Sequence, residues 1–288
     1  MEIEDIKKIC VVGAGNMGHQ ISILAALNGY QVSCTDISQE MLDKAQSFAH
    51  NYLPGRVEKG KISQEQADQA IDNLRFTQSL EDAAGDVGYV IEAVTEKLEI
   101  KRKLFADLDR IAPPHAIFAT NSSSFVSSKI ADATERPEKI CNMHFFNPAL
   151  VMKLVEVVQG PHTSAETAQI TLELCKKMGK AGILLKKEIF GFLVNRILGA
   201  LMDEALFLVD VGIATPEEID IAVVNALGHP MGPFRLMDLT GIDLKYISDM
   251  DKYQETRDPL CKPSPVIVEK YFKGEWGKKT KKGFYSHE

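Results

Sequence analysis

The segment that decides the fold is Ile9-Cys10-Val11-Val12-Gly13-Ala14-Gly15-Asn16-Met17-Gly18. Its first four residues form a continuous apolar run, which is typical of a strand buried on both faces of a sheet. Met17–Leu27 then shows helical periodicity, and Gly29 stands near the place where a helix C-terminal glycine is expected. The glycines between the strand and the helix have the GxGxxG spacing, which in this context indicates a dinucleotide-binding turn.

The three glycines have different tasks. Gly13 permits the tight turn, Gly15 lets backbone N–H groups approach a pyrophosphate, and Gly18 allows close packing of the helix on the strand. The helix N-terminus adds a positive dipole for the anion. A glycine-rich turn without a ligand is the alternative, and the complete order of strand, turn, helix, strand and acid disfavours it.

A second predicted strand, Gln31–Thr35, ends directly before Asp36. The Asp36 carboxylate can accept a hydrogen bond from a ribose 2′-hydroxyl, and it would repel a 2′-phosphate. The next three residues contain no arginine that could compensate this repulsion. The sequence therefore predicts NAD rather than NADP as the cofactor.

Short apolar runs alternate with helical segments to about residue 187. Further predicted strands are Gly88–Val94, Ala116–Thr120, Ile140–Phe146, Met152–Val158 and Ile183–Leu185. Helix starts are indicated by Ser38 and by two capping boxes, Ser63 with Gln66 and Thr163 with Glu166. This order predicts an α/β fold with a doubly wound, mostly parallel Rossmann-type sheet. The last strands follow one another too closely for helical crossovers, which favours an antiparallel edge.

The pattern changes after residue 187, and residues 191–288 are predicted to form an all-helical second domain beside a dinucleotide-binding domain of residues 1–187. Gly191–Gly212 is apolar except for a thin stripe of Arg196, Asp203 and Asp210, which predicts a helix buried nearly all round. The next helix starts at Thr215-Pro216-Glu217-Glu218, an N-cap followed by proline and a capping-box glutamate. No strand pattern follows.

The composition excludes several classes of protein. The chain has 288 residues, of which 45% are hydrophobic and 25% charged, as in ordinary globular proteins. A net charge of −7 argues against a nucleic-acid partner, and no apolar run is long enough for a membrane span. The five scattered cysteines show no CxxC, so we expect no metal site and a reducing compartment. The acidic start lacks the features of a signal peptide, and a cytoplasmic location is expected.

Two residues, His144 and Glu156, are the strongest catalytic candidates. His144 stands at the end of an apolar strand, and Glu156 lies inside the apolar run Leu154–Val158. A carboxylate is expensive to bury unless it is paired, and a histidine is a suitable partner. Such a pair forms a general base, in which the carboxylate fixes the tautomer and the imidazole takes the proton of an alcohol. A structural core histidine and a glutamate that faces water are the alternatives.

Other polar residues stand where a substrate could reach them. Asn121-Ser122-Ser123-Ser124 follows a strand, and its hydroxyls could cap a helix or hold a substrate oxygen. Asn195 lies in the predicted buried helix, where its amide needs a partner, either a substrate carbonyl or a core group. The basic segments Arg56–Lys61 and Lys278–Lys282 are expected to be solvated unless an anion binds there. Together with the dinucleotide turn, these residues predict hydride transfer involving a hydroxyl or carbonyl group.

These motifs resemble the 3-hydroxyacyl-CoA dehydrogenase family along nearly the whole chain. The matching segments are VVGAGNMG (11–18), VIEAVTEKLEIK (90–101), NSSS (121–124), HFFNPALVMKLVEVV (144–158), GFLVNR (191–196), PMGPFRLMDLTGID (230–243) and GKKTKKGFY (277–285). The resemblance implies an NAD-dependent oxidoreductase that interconverts 3-hydroxyacyl-CoA and 3-ketoacyl-CoA, with a short acyl chain such as 3-hydroxybutyryl. It also implies a homodimer formed through the helical domain.

The resemblance assigns roles to individual residues. It implies that His144 is the general base with Glu156 as its partner, and that Ser123 and Asn195 contact the substrate. Lys59 and Lys61 would bind the adenosine phosphate of CoA. The residues implied on the cofactor side are Gly13, Gly15, Asn16, Met17, Gly18, Asp36, Glu96, Lys101, Ser123 and Asn147.

The sequence departs from the family pattern at one position, and two alternative functions are considered. The family usually has proline before the glycine that corresponds to Gly191, whereas Phe190 stands here, which leaves the bend of the linker open. One rival is a dehydrogenase of a small non-CoA 3-hydroxy acid, such as a gulonate dehydrogenase; the HFFNP run and the basic loop count against it. The other is an NAD-binding sensor without turnover, and the combination of the four candidate catalytic residues counts against it.

Overall fold

The computed structural model describes residues 2–288 and divides the chain into two compact units, Met1–Phe192 and Leu193–Glu288. The first unit contains a mixed sheet with helices on both faces, and the second contains helices joined by short loops. Each unit has a hydrophobic core of its own residues.

The described residues of the first unit form an eight-stranded sheet. In chain order the strands are β1 (Lys8–Val12), β2 (Gln31–Thr35), β3 (Leu74–Thr77), β4 (Tyr89–Glu92), β5 (Ile117–Thr120), β6 (Ile140–Phe145), β7 (Leu154–Val158) and β8 (Ala181–Leu185). Their order across the sheet is β3-β2-β1-β4-β5-β6-β7-β8. Every predicted strand is present. The structure adds β3, whose four residues are too short and too exposed to give a clear pattern.

The predicted antiparallel edge is confirmed. Strands β3 to β6 pair in parallel, β7 pairs antiparallel with β6, and β8 runs parallel to β7. A short hairpin is possible between β6 and β7 because antiparallel neighbours need no helical crossover. The fold is therefore the predicted doubly wound, mostly parallel Rossmann-type sheet.

In the described part of the first unit, the α-helices that cover the sheet are α1 (Asn16–Leu27), α2 (Gln39–Glu58), α3 (Gln64–Asp72), α4 (Leu80–Ala84), α5 (Leu98–Ile111), α6 (Ser128–Ala131) and α7 (Ala165–Lys177). Side chains of β1 alternate between two core clusters: Ile9 and Val11 pack with residues of α1, α3 and α7, whereas Cys10 and Val12 pack with α4, α5 and α6. Each buried side chain of this size contributes about 1.5–3 kcal/mol. The burial of both faces explains the continuous apolar run from which β1 was predicted.

Most of the helix starts follow the sequence signals. Ser38 caps α2, and Ser63 forms a capping box with Gln66 at α3. The predicted capping box of Thr163 with Glu166 is wrong.

The residue that caps α7 is Ser164, whose hydroxyl accepts a hydrogen bond from the N–H of Thr167 at 3.0 Å. The neighbouring Thr163 hydroxyl donates instead to the carbonyl of Ile140, at 2.6 Å. A tertiary contact therefore decides which of two adjacent hydroxyl residues becomes the cap.

The second unit contains α8 (Val194–Asp210), α9 (Pro216–Leu227), α10 (Pro233–Thr240), α11 (Ile242–Thr256) and α12 (Pro265–Phe272). Thr215 and Glu218 form the predicted capping box of α9, and its hydrogen bonds hold the pKa of Glu218 below the ordinary value. Phe234, Met237 and Ile267 lie at the centre of the core.

The prediction that the first helix of this unit is buried nearly all round is wrong for the single chain. Met202, Ala205 and Leu206 are buried, whereas Ile197 is 63% exposed and Phe207 is 54% exposed. The helix packs by one face, so its other apolar residues remain in contact with water.

Two buried carboxylates fasten the C-terminal segment of the second unit. Asp220 accepts from the N–H of Phe234 at the start of α10 and from the hydroxyl of Tyr285 in the C-terminal segment, both at 2.8 Å. Asp238 accepts from the N–H of Phe284, at 2.8 Å, and from Nε2 of His287, at 2.7 Å. Backbone donors thus compensate the cost of burying both side chains.

All five cysteines are free thiols, and four of them are buried. Within residues 2–288, no helix has both the length and the hydropathy that crossing a bilayer requires.

Candidate active site

The glycine turn lies at the carboxyl end of β1. Gly13 has a φ of +102°, and a Cβ there would stand 2.5 Å from the carbonyl oxygen of Ala93. A Cβ on Gly18 would stand 1.7 Å from the oxygen of Gly13, so the close packing of α1 requires glycine. At Gly15 the same position is open, with nothing within 4 Å. A pyrophosphate can therefore approach the backbone there and meet the N-terminus of α1.

Asp36 follows β2 and is held against the glycine turn. Its Oδ2 accepts from the N–H of Ala14 at 2.8 Å, and its Oδ1 accepts from the N–H of Ser38 at 2.9 Å. Each carboxylate oxygen keeps a second lone pair for a hydroxyl donor. The next residue, Ile37, is 95% exposed and brings no positive charge.

A buried ion pair joins the end of β4 to α5. The Nζ of Lys101 is 2.7 Å from Oε1 of Glu92 and 3.1 Å from Oε2 of Glu96. Glu92 also accepts from the Thr120 hydroxyl at 2.6 Å. Glu96 and Lys101 were predicted on the cofactor side, whereas Glu92 was not predicted, although a glutamate inside an apolar strand is the signal that identified Glu156.

The serine loop after β5 is fixed to two neighbouring loops. Glu96 accepts from the Ser122 hydroxyl and from the N–H of Ser124. Asn121 accepts from the N–H of Phe145 through Oδ1, at 2.9 Å, and so joins this loop to β6. Ser123 is exposed at the loop surface.

None of these three serines caps a helix. Ser122 accepts from the N–H of Phe125 at 2.8 Å and shapes a turn. Helix α6 starts later, at Ser128, and the carboxylate of Glu188 accepts from the Ser128 N–H at 2.8 Å. Glu188 lies sixty residues further along the chain, so no local pattern could have revealed this contact.

The register of β6 with β7 places His144 directly opposite Glu156. Nδ1 of His144 lies 2.8 Å from Oε2 of Glu156, and the two residues are 5% and 0% exposed. The paired side chains lie on one face of the sheet, which is the arrangement that a histidine–carboxylate general base requires.

Two aromatic rings contact the imidazole of His144. The ring centroid of Phe146 lies 4.7 Å away and that of Phe192 lies 5.3 Å away. Phe192 follows Gly191, and both have positive φ, at 50° and 75°. This turn, in a segment that lacks the family's usual proline, brings the buried Phe192 side chain onto the imidazole.

Asn195 belongs to the second unit and lies near the start of α8. Its side chain is exposed, so the expectation of a buried amide is wrong. A buried amide was expected because α8 was predicted to be buried nearly all round. The positions of Arg196, Asp203 and Asp210 did not show which apolar residues of α8 are packed against the rest of the unit.

Lys59 and Lys61 lie at the C-terminal end of α2. Both are exposed, and among residues 2–288 neither ammonium group has an ion-pair partner. Arg56 is close by, with its guanidinium 5.9 Å from the centre of the Tyr52 ring. Among the described residues, the end of α2 therefore presents two ammonium groups without an ion pair, close in sequence to the guanidinium of Arg56.

The comparisons identify the class to which this fold and site belong. Residues 8–189 match the family described as 3-hydroxyacyl-CoA dehydrogenase, NAD binding domain. Residues 191–287 match 3-hydroxyacyl-CoA dehydrogenase, C-terminal domain. The chain belongs to the 3-hydroxyacyl-CoA dehydrogenase family and is an NAD-dependent oxidoreductase, as the resemblance implied.

Individual relatives are similar over nearly their whole length. A probable 3-hydroxybutyryl-CoA dehydrogenase of Bacillus subtilis is 39% identical over 286 residues, which cover 99% of this chain and 98% of the relative. The mitochondrial hydroxyacyl-coenzyme A dehydrogenase of Homo sapiens is 36% identical, with 98% and 91% covered. The crystal structure of (S)-3-hydroxybutyryl-CoA dehydrogenase from Ralstonia eutropha has a TM-score of 0.94 and 34% identity, with 99% and 100% covered.

Cofactor choice is expected to depend on the charge of Asp36. A 2′-phosphate would lose a charge-assisted hydrogen bond and gain repulsion, which costs about 2–4 kcal/mol, or roughly 30- to 1000-fold in kcat/KM for NAD over NADP. Asp36→Asn should reduce this preference, whereas Asp43→Asn, an exposed acid on α2, should leave it unchanged. Steady-state kinetics with both cofactors measure the ratio, and equal use of both by the unmodified enzyme would refute this role.

Proton transfer is expected to depend on His144. General acid–base catalysis contributes about 10²–10⁴-fold, so His144→Gln should lower kcat by that factor and leave NADH binding intact. His115→Gln is the matched control, since His115 is exposed at the opposite, amino end of β5. Full activity of the His144 variant would contradict the assignment.

Glu156 is expected to support catalysis through the charge of its carboxylate. In Glu156→Gln the amide can no longer stabilise the imidazolium that forms on His144 during oxidation, so kcat should fall while NADH binding is retained. A wild-type kcat for this variant would show that the carboxylate charge does not act on His144.

Proposed function

We propose that the enzyme interconverts short-chain 3-hydroxyacyl-CoA and 3-ketoacyl-CoA, with 3-hydroxybutyryl-CoA as the representative substrate. The main support for this proposal is the buried His144–Glu156 pair. His144 lies near the carboxyl end of β6, and the glycine turn follows the carboxyl end of β1, so both are at the same end of the parallel strands. The names of the bacterial relatives support the short acyl chain.

In this proposal His144 moves the proton through Nε2. Its Nδ1 faces the Glu156 carboxylate, so the ring proton lies on Nδ1 and the lone pair on Nε2. During oxidation Nε2 accepts the proton of the 3-hydroxyl group, and Glu156 stabilises the resulting imidazolium. During reduction Nε2 returns the proton to the forming alkoxide. Bound NAD supplies the hydride acceptor, and NADH the donor.

The surrounding residues orient the imidazole and the reacting oxygen. Phe146 and Phe192 cover the His144 ring and limit the access of water to it. We assign Ser123 to the reacting oxygen of the substrate and place Asn195 near the substrate, as the resemblance implies. Among the cofactor-side residues, the open position at Gly15 and the anchored carboxylate of Asp36 support the binding of a dinucleotide.

The positive charge at the end of α2 supports a CoA substrate. Lys59 and Lys61 are free to bind a phosphate, and Arg56 adds a third cation next to the Tyr52 ring. A phosphate group satisfies such unpaired ammonium groups through charge-assisted hydrogen bonds. A small non-CoA hydroxy acid would leave this surface without a function.

The proposal is tested by NADH oxidation with acetoacetyl-CoA and with free acetoacetate under the same conditions. We expect kcat/KM to be far higher for the CoA ester. Comparable turnover of both would favour the non-CoA dehydrogenase, and NADH binding without turnover of either would favour the sensor.

A sharper prediction for the same assay concerns the basic segment Arg56–Lys61. The double variant Lys59→Ala and Lys61→Ala should raise KM for acetoacetyl-CoA, flatten its salt dependence and leave KM for NADH unchanged. A modest fall in kcat is compatible, because remote binding energy can support the chemical step. Lys44→Ala, an exposed lysine paired with Glu40 on the same helix, is the control. Wild-type kinetics of the double variant would show that the loop is merely solvated.

The exposed apolar surface of the helical unit supports a homodimer. Ile197 and Phe207 on α8 and Ile221 and Leu227 on α9 are all more than half exposed. Large apolar side chains that are exposed on two helices of one unit favour a protein–protein contact, and the family resemblance implies that the partner is a second copy of the chain. The free thiols are compatible with a reducing compartment, and we propose a cytoplasmic location.

A charge placed in this surface should separate the subunits. We expect the unmodified enzyme to sediment as a dimer and Phe207→Lys as a monomer, since burying an unpaired ammonium group is costly. Ile100→Lys is the control, because this exposed isoleucine lies on α5 of the other unit. A monomeric wild type in analytical ultracentrifugation would overturn the proposal.

A further inference from the structure

Three side-chain amides form one hydrogen-bonded relay between α1 and the loop that follows His144. Nε2 of Gln20 donates to Oδ1 of Asn16 at 2.9 Å, and Nδ2 of Asn16 donates to Oδ1 of Asn147 at 2.9 Å. At the other end, the backbone N–H of Leu150 donates to Oε1 of Gln20 at 3.3 Å. The relay therefore starts and ends on the same loop.

The direction of the relay is set by a single backbone group. The N–H of Leu150 can only donate, so Gln20 must turn its carbonyl oxygen towards it and its NH2 group towards Asn16. Asn16 then accepts from Gln20 and donates to Asn147. As a result, the side-chain oxygen of Asn147 is engaged, and its NH2 group is left to donate elsewhere.

The relay links a rigid residue to a solvent-exposed one. Gln20 is 5% exposed in the middle of α1, and a buried amide is held firmly when both its ends are hydrogen-bonded. Asn147 is exposed and lies three residues beyond His144. On its own, such a surface asparagine would be free to rotate and to exchange its oxygen and nitrogen.

The order of the strands places Asn147 on the nicotinamide side of the cofactor site. Asp36 follows β2, the glycine turn follows the adjacent β1, and His144 lies at the end of β6, beyond β4 and β5. A dinucleotide whose adenosine ribose binds Asp36 extends across β1 towards the loops after β4, β5 and β6.

We propose that Gln20 is a positioning residue for the cofactor. Acting through Asn16, it fixes Asn147 with its N–H donors directed at an acceptor atom on the nicotinamide half of NAD. This inference rests on the proposed function, an NAD-dependent reaction in which Asn147 is one of the cofactor-side residues that the resemblance implies.

A double-mutant cycle on NADH binding tests the relay, with NADH fluorescence measured in the absence of any acyl-CoA. Gln20→Met keeps the length and apolar packing of the side chain but removes both hydrogen bonds. We expect it to raise the Kd for NADH about five- to tenfold. In the Asn147→Ala background the same substitution should cause no further rise, because its effect passes through Asn147.

Two further variants separate positioning from a general loss of structure. Ser22→Ala removes another buried hydrogen bond of α1, from the Ser22 hydroxyl to the carbonyl of Gly18, and should leave the Kd for NADH unchanged. Asn16→Ala interrupts the relay at an exposed position without disturbing the core, and it should be similarly non-additive with Asn147→Ala. It replaces Gln20→Met in the cycle if that variant fails to fold.

The outcomes distinguish the relay from the substrate assignment. An effect of Gln20→Met that is equal in both backgrounds, or that Ser22→Ala reproduces, would overturn the proposed role of Gln20. The expected non-additivity in NADH binding, found together with no turnover of acetoacetyl-CoA, would support the relay and refute the proposed substrate.

Discussion

Carboxylates buried in apolar surroundings need partners, and the organisation of this enzyme follows from how each of them finds one. Glu156 on β7 is paired with His144 on the antiparallel β6, and Glu92 on β4 is paired with Lys101 on α5. An unpaired charge at either place would cost several kcal/mol. Each pair therefore fixes the relative positions of the two elements that carry it. The candidate active site lies next to these pairs, at the carboxyl ends of the parallel strands.

The antiparallel β7 is the feature that makes the His144–Glu156 pair possible. Parallel neighbours would have required a crossover of a dozen or more residues, whereas the β6–β7 hairpin brings two residues twelve positions apart into direct contact. The loop of this hairpin is held on a second side by Lys180, whose Nζ donates to the carbonyls of Ala149 and Met152 at 2.7 Å. Burial penalises the charged form of this ammonium group and lowers the pKa of Lys180.

Much of the fold could be predicted from local patterns, because strands buried on both faces are continuous apolar runs and helix starts carry capping residues. The His144–Glu156 pair was accessible for a related reason, since a glutamate inside the apolar run Leu154–Val158 needs an explanation. The same reasoning applied to Glu92 would have identified its ion pair. Local sequence patterns predicted the wrong N-cap where a contact distant in sequence determines it. Ser164 rather than Thr163 caps α7, because the Thr163 hydroxyl donates to the carbonyl of Ile140.

Other features could not be predicted because they depend on which surfaces are covered. The apolar pattern of α8 is compatible with burial inside one chain or between chains, and so the exposure of Asn195 could not be foreseen. The amide relay was also beyond local reasoning, because Gln20 and Leu150 are 130 residues apart in sequence. Such contacts exist only once the sheet has brought the ends of its strands together.

The pairing of β6 with β7 also limits how this enzyme can evolve. A strand has a side-chain period of two, so inserting or deleting one residue inside β7 would turn Glu156 to the opposite face, away from His144. Substitutions that keep the register are free to change the apolar neighbours, but length changes within the strands are not neutral. We therefore expect insertions and deletions among homologues to accumulate in surface loops remote from the hairpin, while the spacing of twelve between the histidine and the glutamate is preserved.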